Sequence, residues 1–127
     1  MIDHVSIEVS DLARATRFYE KVLGALGMSK LRAGAHTSGF GKTYPELWIN
    51  ERTDMTPTRD RSGAHLCLRA RTTEIVDAFH TTALAEGATS DGAPGFRKEY
   101  GDRYYAAFVR DPDGNRVEVV TFVAGDA

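Results

Sequence analysis

Two histidines and two glutamates are the residues of this chain whose types and spacing could do chemistry. His4 and His65 each open a short alternating run, HVSIEV and HLCLRA, while Glu46 and Glu118 lie in later alternating runs, ELWIN and NRVEVVTFV. Neutral imidazole nitrogens and carboxylate oxygens suit borderline divalent ions such as zinc, nickel, cobalt, manganese or iron. Four such ligands can still leave positions open for water or substrate. Taken singly, each residue has a plainer reading: a strand histidine is more often a hydrogen-bonded core or surface group, and a strand glutamate is usually solvated. The joint reading depends on whether the elements that carry the four put them on one side.

Those elements repeat. In MIDHVSIEV, Val5, Ile7 and Val9 alternate with His4, Ser6 and Glu8, the period of a strand with one apolar face. A helix is expected in SDLARATRFYEKVLGALG, capped by Ser10 or Asp11 and stopped by Gly27, because Leu12, Ala15, Phe18, Tyr19, Val22, Leu23 and Leu26 recur at three- and four-residue steps. Strands are expected in MSKLRA, HTSGFG and ELWIN, followed by a polar linker in ERTDMTPTRDRSG. The second half then runs through the strand AHLCLRA and the helix TEIVDAFHTTALAEG. That helix is capped by Thr72 or Thr73, carries the stripe Ile75, Val76, Phe79, Ala83 and Leu84, and stops at Gly87. Strands near ATSDG, in RYYAAFVR and in NRVEVVTFV complete the half, the last two joined by the turn signal Asp111-Pro112-Asp113-Gly114.

Each half thus reads strand, helix, strand, strand, strand. The expected organisation is a single α+β domain over residues 1–127, with modules at 1–52 and 64–124 and a linker at 53–63. A unit this short cannot bury its sheet alone, so two copies should pair around a shared hollow. Matching the halves sets His4 against His65 and Glu46 against Glu118. If Val5, Ile7 and Val9 face a helix, His4 faces the hollow; the same alternation turns His65, Cys67 and Arg69 inward, and leaves Glu118 between the helix-facing Val117 and Val119.

Composition excludes several classes of function. The 127 residues carry 16 Lys and Arg against 18 Asp and Glu, a net charge of -2 that offers no general attraction to nucleic acid. Apolar residues make up 42% and charged residues 27%, the balance of a globular chain. Cys67 is the single cysteine, so no internal disulfide forms and a cytoplasmic setting is expected. No apolar run reaches membrane-spanning length, and no basic-then-apolar leader precedes the first strand.

With these residues in view, the chain resembles the vicinal oxygen chelate superfamily, the group of glyoxalase I, bleomycin resistance proteins and extradiol dioxygenases. HVSIEVSDLARATRFYEKVLG resembles the family's first strand and helix, and FVRDPDGNRVEVV its closing hairpin. The resemblance implies two paired βαβββ modules forming an incomplete barrel around one cavity. It also implies one divalent metal held by His4, His65 and Glu118, with Glu46 at the variable fourth position.

By the same resemblance, Asn50 matches a glutathione-contacting asparagine of glyoxalase I, whereas Glu8 stands where bacterial glyoxalase I has a basic glutathione contact. Trp48 shares the predicted face of Glu46 and could wall the substrate or simply fill the interior. In GFRKEYGDRYY, Arg97, Lys98, Arg103, Tyr100, Tyr104 and Tyr105 are candidate anion and ring contacts, with Arg97 and Tyr105 taken as the leading ones. Cys67 shares the inward parity, and His36 and His80 are expected at the surface. The functional expectation is a metal-dependent, glyoxalase-like lyase or isomerase. It would act on a small substrate with neighbouring oxygens through an enediolate-type intermediate, with Glu118 or Glu46 as the base. The alternatives are a metal-free drug-binding protein of the bleomycin-resistance kind and a ring-cleaving dioxygenase; a homodimer is expected in each case.

Overall fold

A computed structural model describes residues 1–56 and 63–124. Part of the expected linker, residues 57–62, lies outside the described residues. The chain divides into two compact units, Met1–Thr58 and Arg59–Ala127.

The first unit runs β1 (Val5–Val9), α1 (Leu12–Gly24), β2 (Ser29–Ala33), β3 (Thr37–Gly41) and β4 (Leu47–Glu51). Asp11 is the N-cap of α1, its carboxylate accepting from Arg14 N at 3.0 Å. The expected stripe supplies Ala15, Phe18, Tyr19, Val22 and Leu23 to the core, against Phe40, Leu47 and Ile49 of the sheet. Strand order is β1-β4-β3-β2, with β1 parallel to β4.

The second unit repeats the plan with β5 (Leu66–Arg69), α2 (Thr73–Ala85), β6 (Thr89–Phe96), β7 (Tyr104–Arg110) and β8 (Arg116–Phe122), ordered β5-β8-β7-β6. A single 3₁₀ turn, Lys98–Tyr100, links β6 to β7. Thr72 caps α2 by accepting from Ile75 N. Each unit is therefore an α+β module of the strand-helix-strand-strand-strand kind.

α2 is rotated slightly from the expected stripe. Val76, Phe79, His80 and Ala83 face the sheet and are buried, while Leu84 is 40% exposed. His80 is thus a buried residue and not a surface one. It sits four residues after Val76, on the same helix face, and its Nε2 lies 2.9 Å from Ser90 Oγ. Loss of hydration on burial holds its imidazole below the ordinary histidine value.

The DPDG turn is built by one carboxylate. Buried Asp111 accepts through Oδ1 from Asp113 N (2.9 Å) and Asn115 N (2.8 Å), and through Oδ2 from Asn115 Nδ2 (2.9 Å). This fixes the register of the β7–β8 hairpin and hence the height of Glu118 beside its neighbours.

Candidate functional site

In the second unit the alternation of β8 sends Val117 and Val119 toward α2 and leaves Glu118 on the opposite face. Register places Glu118 between Cys67 on β5 and Phe108 on β7. Only 3% of Glu118 is exposed, so its carboxylate must find partners within the protein. It finds two. Oε1 lies 2.9 Å from His65 Nε2, and Oε2 accepts a short hydrogen bond from the hydroxyl of Tyr104. Burial, followed by that bond to Glu118, pushes the Tyr104 phenol well above the tyrosine range, so it remains a donor. Cys67 is exposed as a residue, yet lost hydration pushes its thiol up to about 12, with the Glu118 carboxylate adding to the shift.

His65, Tyr100, Tyr104, Phe108 and Glu118 line a cleft of about 290 Å³. An adjoining hollow of about 450 Å³ shares His65, Tyr100 and Phe108 and continues to Asp91, Gly92, Arg97 and Arg116. The buried pair therefore opens onto a space large enough for a small molecule.

The pair fits a metal's donor set in two respects. His65 Nδ1 approaches the Gly63 carbonyl at 3.4 Å, the side on which a neutral imidazole would keep its proton. In the other tautomer Nε2–H donates to Glu118 Oε1 at 2.9 Å, so either that proton or a metal cation can bridge the two atoms. Their 2.9 Å separation also suits neighbouring ligands on one ion, since bonds of about 2.1 Å set roughly at right angles span about 3.0 Å. Among the described residues no three His, Cys, Asp or Glu side chains are gathered as a metal-holding group, so this is a donor pair and not a full set.

In the first unit, His4 and Glu46 are both exposed and flank the start of the β1–β4 pairing, where Val5 N donates to the Glu46 carbonyl at 2.9 Å. His4 Nδ1 meets Asp3 Oδ1 at 2.7 Å. A carboxylate on Nδ1 fixes the tautomer that leaves Nε2 outward as an acceptor, the arrangement common behind metal-bound histidines.

Register corrects one equivalence. The first ladder pair is Val5↔Leu47 in one unit and Leu66↔Val117 in the other. His4 and His65 both precede that pair, and so match. Glu118 follows it, however, so its counterpart is Trp48, while Glu46 corresponds to Arg116. The reason lies in packing across the neighbouring strand. Gly39 opposes Trp48, and a Cβ on Gly39 would stand 2.8 Å from the indole, whereas Phe108 opposes Glu118. One module places the bulky ring on the strand after its glycine; the other places it beside the carboxylate.

Asn50 accepts from Thr37 Oγ1 at 2.8 Å, an intramodule tie. Glu8 is exposed, with Arg52 Nε 3.8 Å from its carboxylate. Arg97 borders the larger hollow. Tyr105, expected as a substrate contact, points the other way: its hydroxyl donates to Asp77 of α2 at 2.7 Å, a bond that raises its pKa. Tyr104 and Phe108 are the β7 side chains that meet the cleft. Alternation could have chosen between the two tyrosines, but YYAAFV is apolar on both faces and hides its parity.

Two βαβββ units, the second with a strand-borne His–Glu pair, define a class, and the comparisons agree with it. The model of the Glyoxalase/Bleomycin resistance protein/Dioxygenase superfamily matches residues 1–119, and the chain belongs to that superfamily. The chain is 30% identical over 122 residues to the metallothiol transferase FosB of Shouchella clausii (strain KSM-K16), spanning 94% of this chain and 79% of that one. It is similar in structure to a glyoxalase/bleomycin resistance protein from Albidiferax ferrireducens T118, with a TM-score of 0.82 and 31% identity over 93% of this chain and 96% of that chain. A variant of the fosfomycin resistance protein FosX from Listeria monocytogenes, complexed with Mn(II) and 1S,2S-dihydroxypropylphosphonic acid, shares the fold with a TM-score of 0.69 at 18% identity, over 94% of this chain and 87% of that chain.

Proposed function

We propose that the protein is a divalent-metal-dependent enzyme acting on a small substrate through two neighbouring oxygens, by glyoxalase-like lyase or isomerase chemistry. The observation that carries this reading is the buried Glu118 carboxylate, held from one side by Tyr104 and facing His65 Nε2 on the other. His65 and Glu118 are two donors; His4, whose Nε2 is left outward by Asp3, is the third. The ion, when bound, would supply Lewis-acid charge for the negative charge that develops on the substrate oxygens.

The two glutamates take different roles in this proposal. Glu118 is anchored on both oxygens and suits a fixed ligand. Glu46 is exposed, its carboxylate without a hydrogen-bond or ion-pair partner among the described residues, and it suits a base that must swing to collect a carbon-bound proton. Trp48 and Asn50 remain substrate contacts from the first module. The kinship with a metallothiol transferase favours a second reading, in which the base takes the proton of a thiol whose sulfur then adds to the substrate. A homodimer in the cytoplasm completes the proposal.

The test is titration of metal-free protein with Co(II) and Mn(II), followed by assays on methylglyoxal–thiol hemithioacetals and on an epoxide with thiol. One ion per chain is expected, with binding lost in His65→Ala and Glu118→Ala. Stoichiometric metal retained by His65→Ala overturns the assignment, and a protein that binds drug-like ligands without metal is the bleomycin-resistance alternative. Mixing His4→Ala chains with His65→Ala chains separates the sources of the donors. Sites shared by two copies regain function in the mixture, and sites within one chain do not.

A further inference from the structure

We infer that the seam between α2 and the start of β6 is an acid-operated latch, in which uptake of a proton by His80 frees residues 89–92 from the helix and loosens the Asp91 wall of the larger hollow. The latch adds a regulation to the proposed cleft. It rests on that reading only for its consequence, since the seam itself needs neither metal nor substrate.

His80 is the titratable side chain that α2 buries against its sheet, 8% exposed beside Val76, Phe79 and Ala83. Its hydrogen bond crosses to the edge strand, where Nε2 lies 2.9 Å from the hydroxyl of Ser90, an exposed residue. The buried ring is thus one side chain away from water. The strand is lightly fastened at this point. β6 is the outer strand of its sheet, joined to β7 alone. Thr89 and Ser90 pair with Arg110 and Val109, after which the ladder slips between Ser90 and Gly92 and again between Gly92 and Gly95. An edge segment held by two ladder positions and a few side-chain ties opens locally at small cost.

Ser90 turns toward the helix, and the next residue turns the other way. The carboxylate of Asp91 lies 3.6 Å from Arg110 Nε and 3.4 Å from Arg116 Nε, and Asp91, Gly92 and Arg116 line the larger hollow. Ser90 therefore cannot leave α2 without carrying part of that wall with it.

A neutral imidazole suits the seam, whereas an imidazolium there lacks its hydration. The surrounding charges offer little in return. On α2, Asp77 lies one turn before His80 and favours the cation, but it is exposed and already accepts from Tyr105. β6 contributes the uncharged Ser90 hydroxyl. β7 turns Tyr105, Ala107 and Val109 toward the helix, and β8 turns Val117, Val119 and Thr121, so neither strand adds a charge. Lost hydration outweighs Asp77 and holds His80 of the closed seam below the ordinary 6.5. Opening returns the ring to water, so the open form binds the proton more readily. Above 6.5 the latch is shut. As pH falls from there to the lowered value of the closed form, opening gains up to about tenfold per pH unit, and it levels off below.

The experiment is amide hydrogen exchange on metal-free full-length protein from about pH 7.5 to about pH 5, corrected for intrinsic rates, with the His80 titration followed by ring NMR. Protection of residues 89–92 should fall by up to about tenfold per pH unit within the window, while Val119, in the middle of β8, keeps its protection. His80→Gln, whose amide can still bond Ser90 but does not titrate, should keep residues 89–92 protected throughout. Asp77→Asn removes the carboxylate that favours the cation, and should move both the His80 titration and the fall in protection to lower pH. Equal loss at residues 89–92 and Val119 would show global unfolding and overturn the latch, as would an unchanged fall in His80→Gln. If His80→Gln fails to fold, Asp77→Asn decides: a fall in protection that does not follow the displaced His80 titration overturns the inference. A failed metal titration would sink the enzymatic reading and leave this result standing.

Discussion

Tyr104 donates its hydroxyl to Oε2 of Glu118 across the β7–β8 pair, which leaves Oε1 alone to face His65. The tyrosine thereby orients a buried carboxylate whose other oxygen is presented to the cleft, the role that supporting groups play behind metal ligands.

Removing that hydroxyl tests the relationship. Tyr104→Phe leaves a buried anionic oxygen without its partner, which should cost about 1–3 kcal/mol of stability. If Glu118 binds metal, affinity for Co(II) should fall roughly tenfold to a hundredfold. Urea unfolding and metal titration of the same variant provide both measurements, and unchanged values for both would show that the bond orients nothing.

Buried His80 predicts a pH dependence. Its folded-state pKa lies below the ordinary 6.5, chiefly through lost hydration, so the unfolded chain binds the proton more readily. Stability from this group is complete above 6.5 and declines as pH falls from there through the lowered folded value. The urea midpoint of the wild type should drop across that window, and His80→Gln should lack that part of the decline. An identical slope in the variant would assign the effect elsewhere.

Asp111 should be among the costliest polar residues to remove outside the cleft. Asp111→Ala deletes at least three hydrogen bonds to the hairpin turn at a buried position, with an expected loss of about 3 kcal/mol or more. Asp111→Asn, which keeps the size, should lose less. Thermal melts of the two variants set the order, and equal melting points would contradict it.

Glu8 bears on specificity. Its carboxylate is exposed on β1, 3.8 Å from Arg52 Nε; if the resemblance to glyoxalase I places a glutathione arm there, Glu8 repels its carboxylate. Metal-loaded protein should turn over the glutathione hemithioacetal of methylglyoxal poorly, and Glu8→Arg should improve it. Efficient turnover by the unmodified protein would remove glutathione discrimination from the role of Glu8.

Much of the architecture was legible in the chain because it depends on local periods. The steps from Ala15 to Leu23 specify one face of α1, and the alternation Val117, Glu118, Val119 specifies that Glu118 leaves the helix side of β8. Asp111 through Asn115 likewise announce their turn, since an aspartate side chain bonding the backbone just ahead of it is chemistry contained in five residues. Parity alone put His65 and Glu118 among four candidates expected to face one hollow, without saying which of them touch.

Register, by contrast, is a long-range quantity. Alternation tells which face a side chain takes but not which residue of the neighbouring strand it meets, because sliding a strand by two residues preserves every face. For that reason Glu46 looked equivalent to Glu118 in sequence, while the ladder makes Trp48 its counterpart. The same limit hid the choice of Tyr104 over Tyr105, in a run apolar on both faces. The sequence by itself determined the modules, their helices and the donor types. Tertiary structure decided which donors touch, because contact between residues 53 apart in the chain, as for His65 and Glu118, is set by strand register and packing and not by any local period.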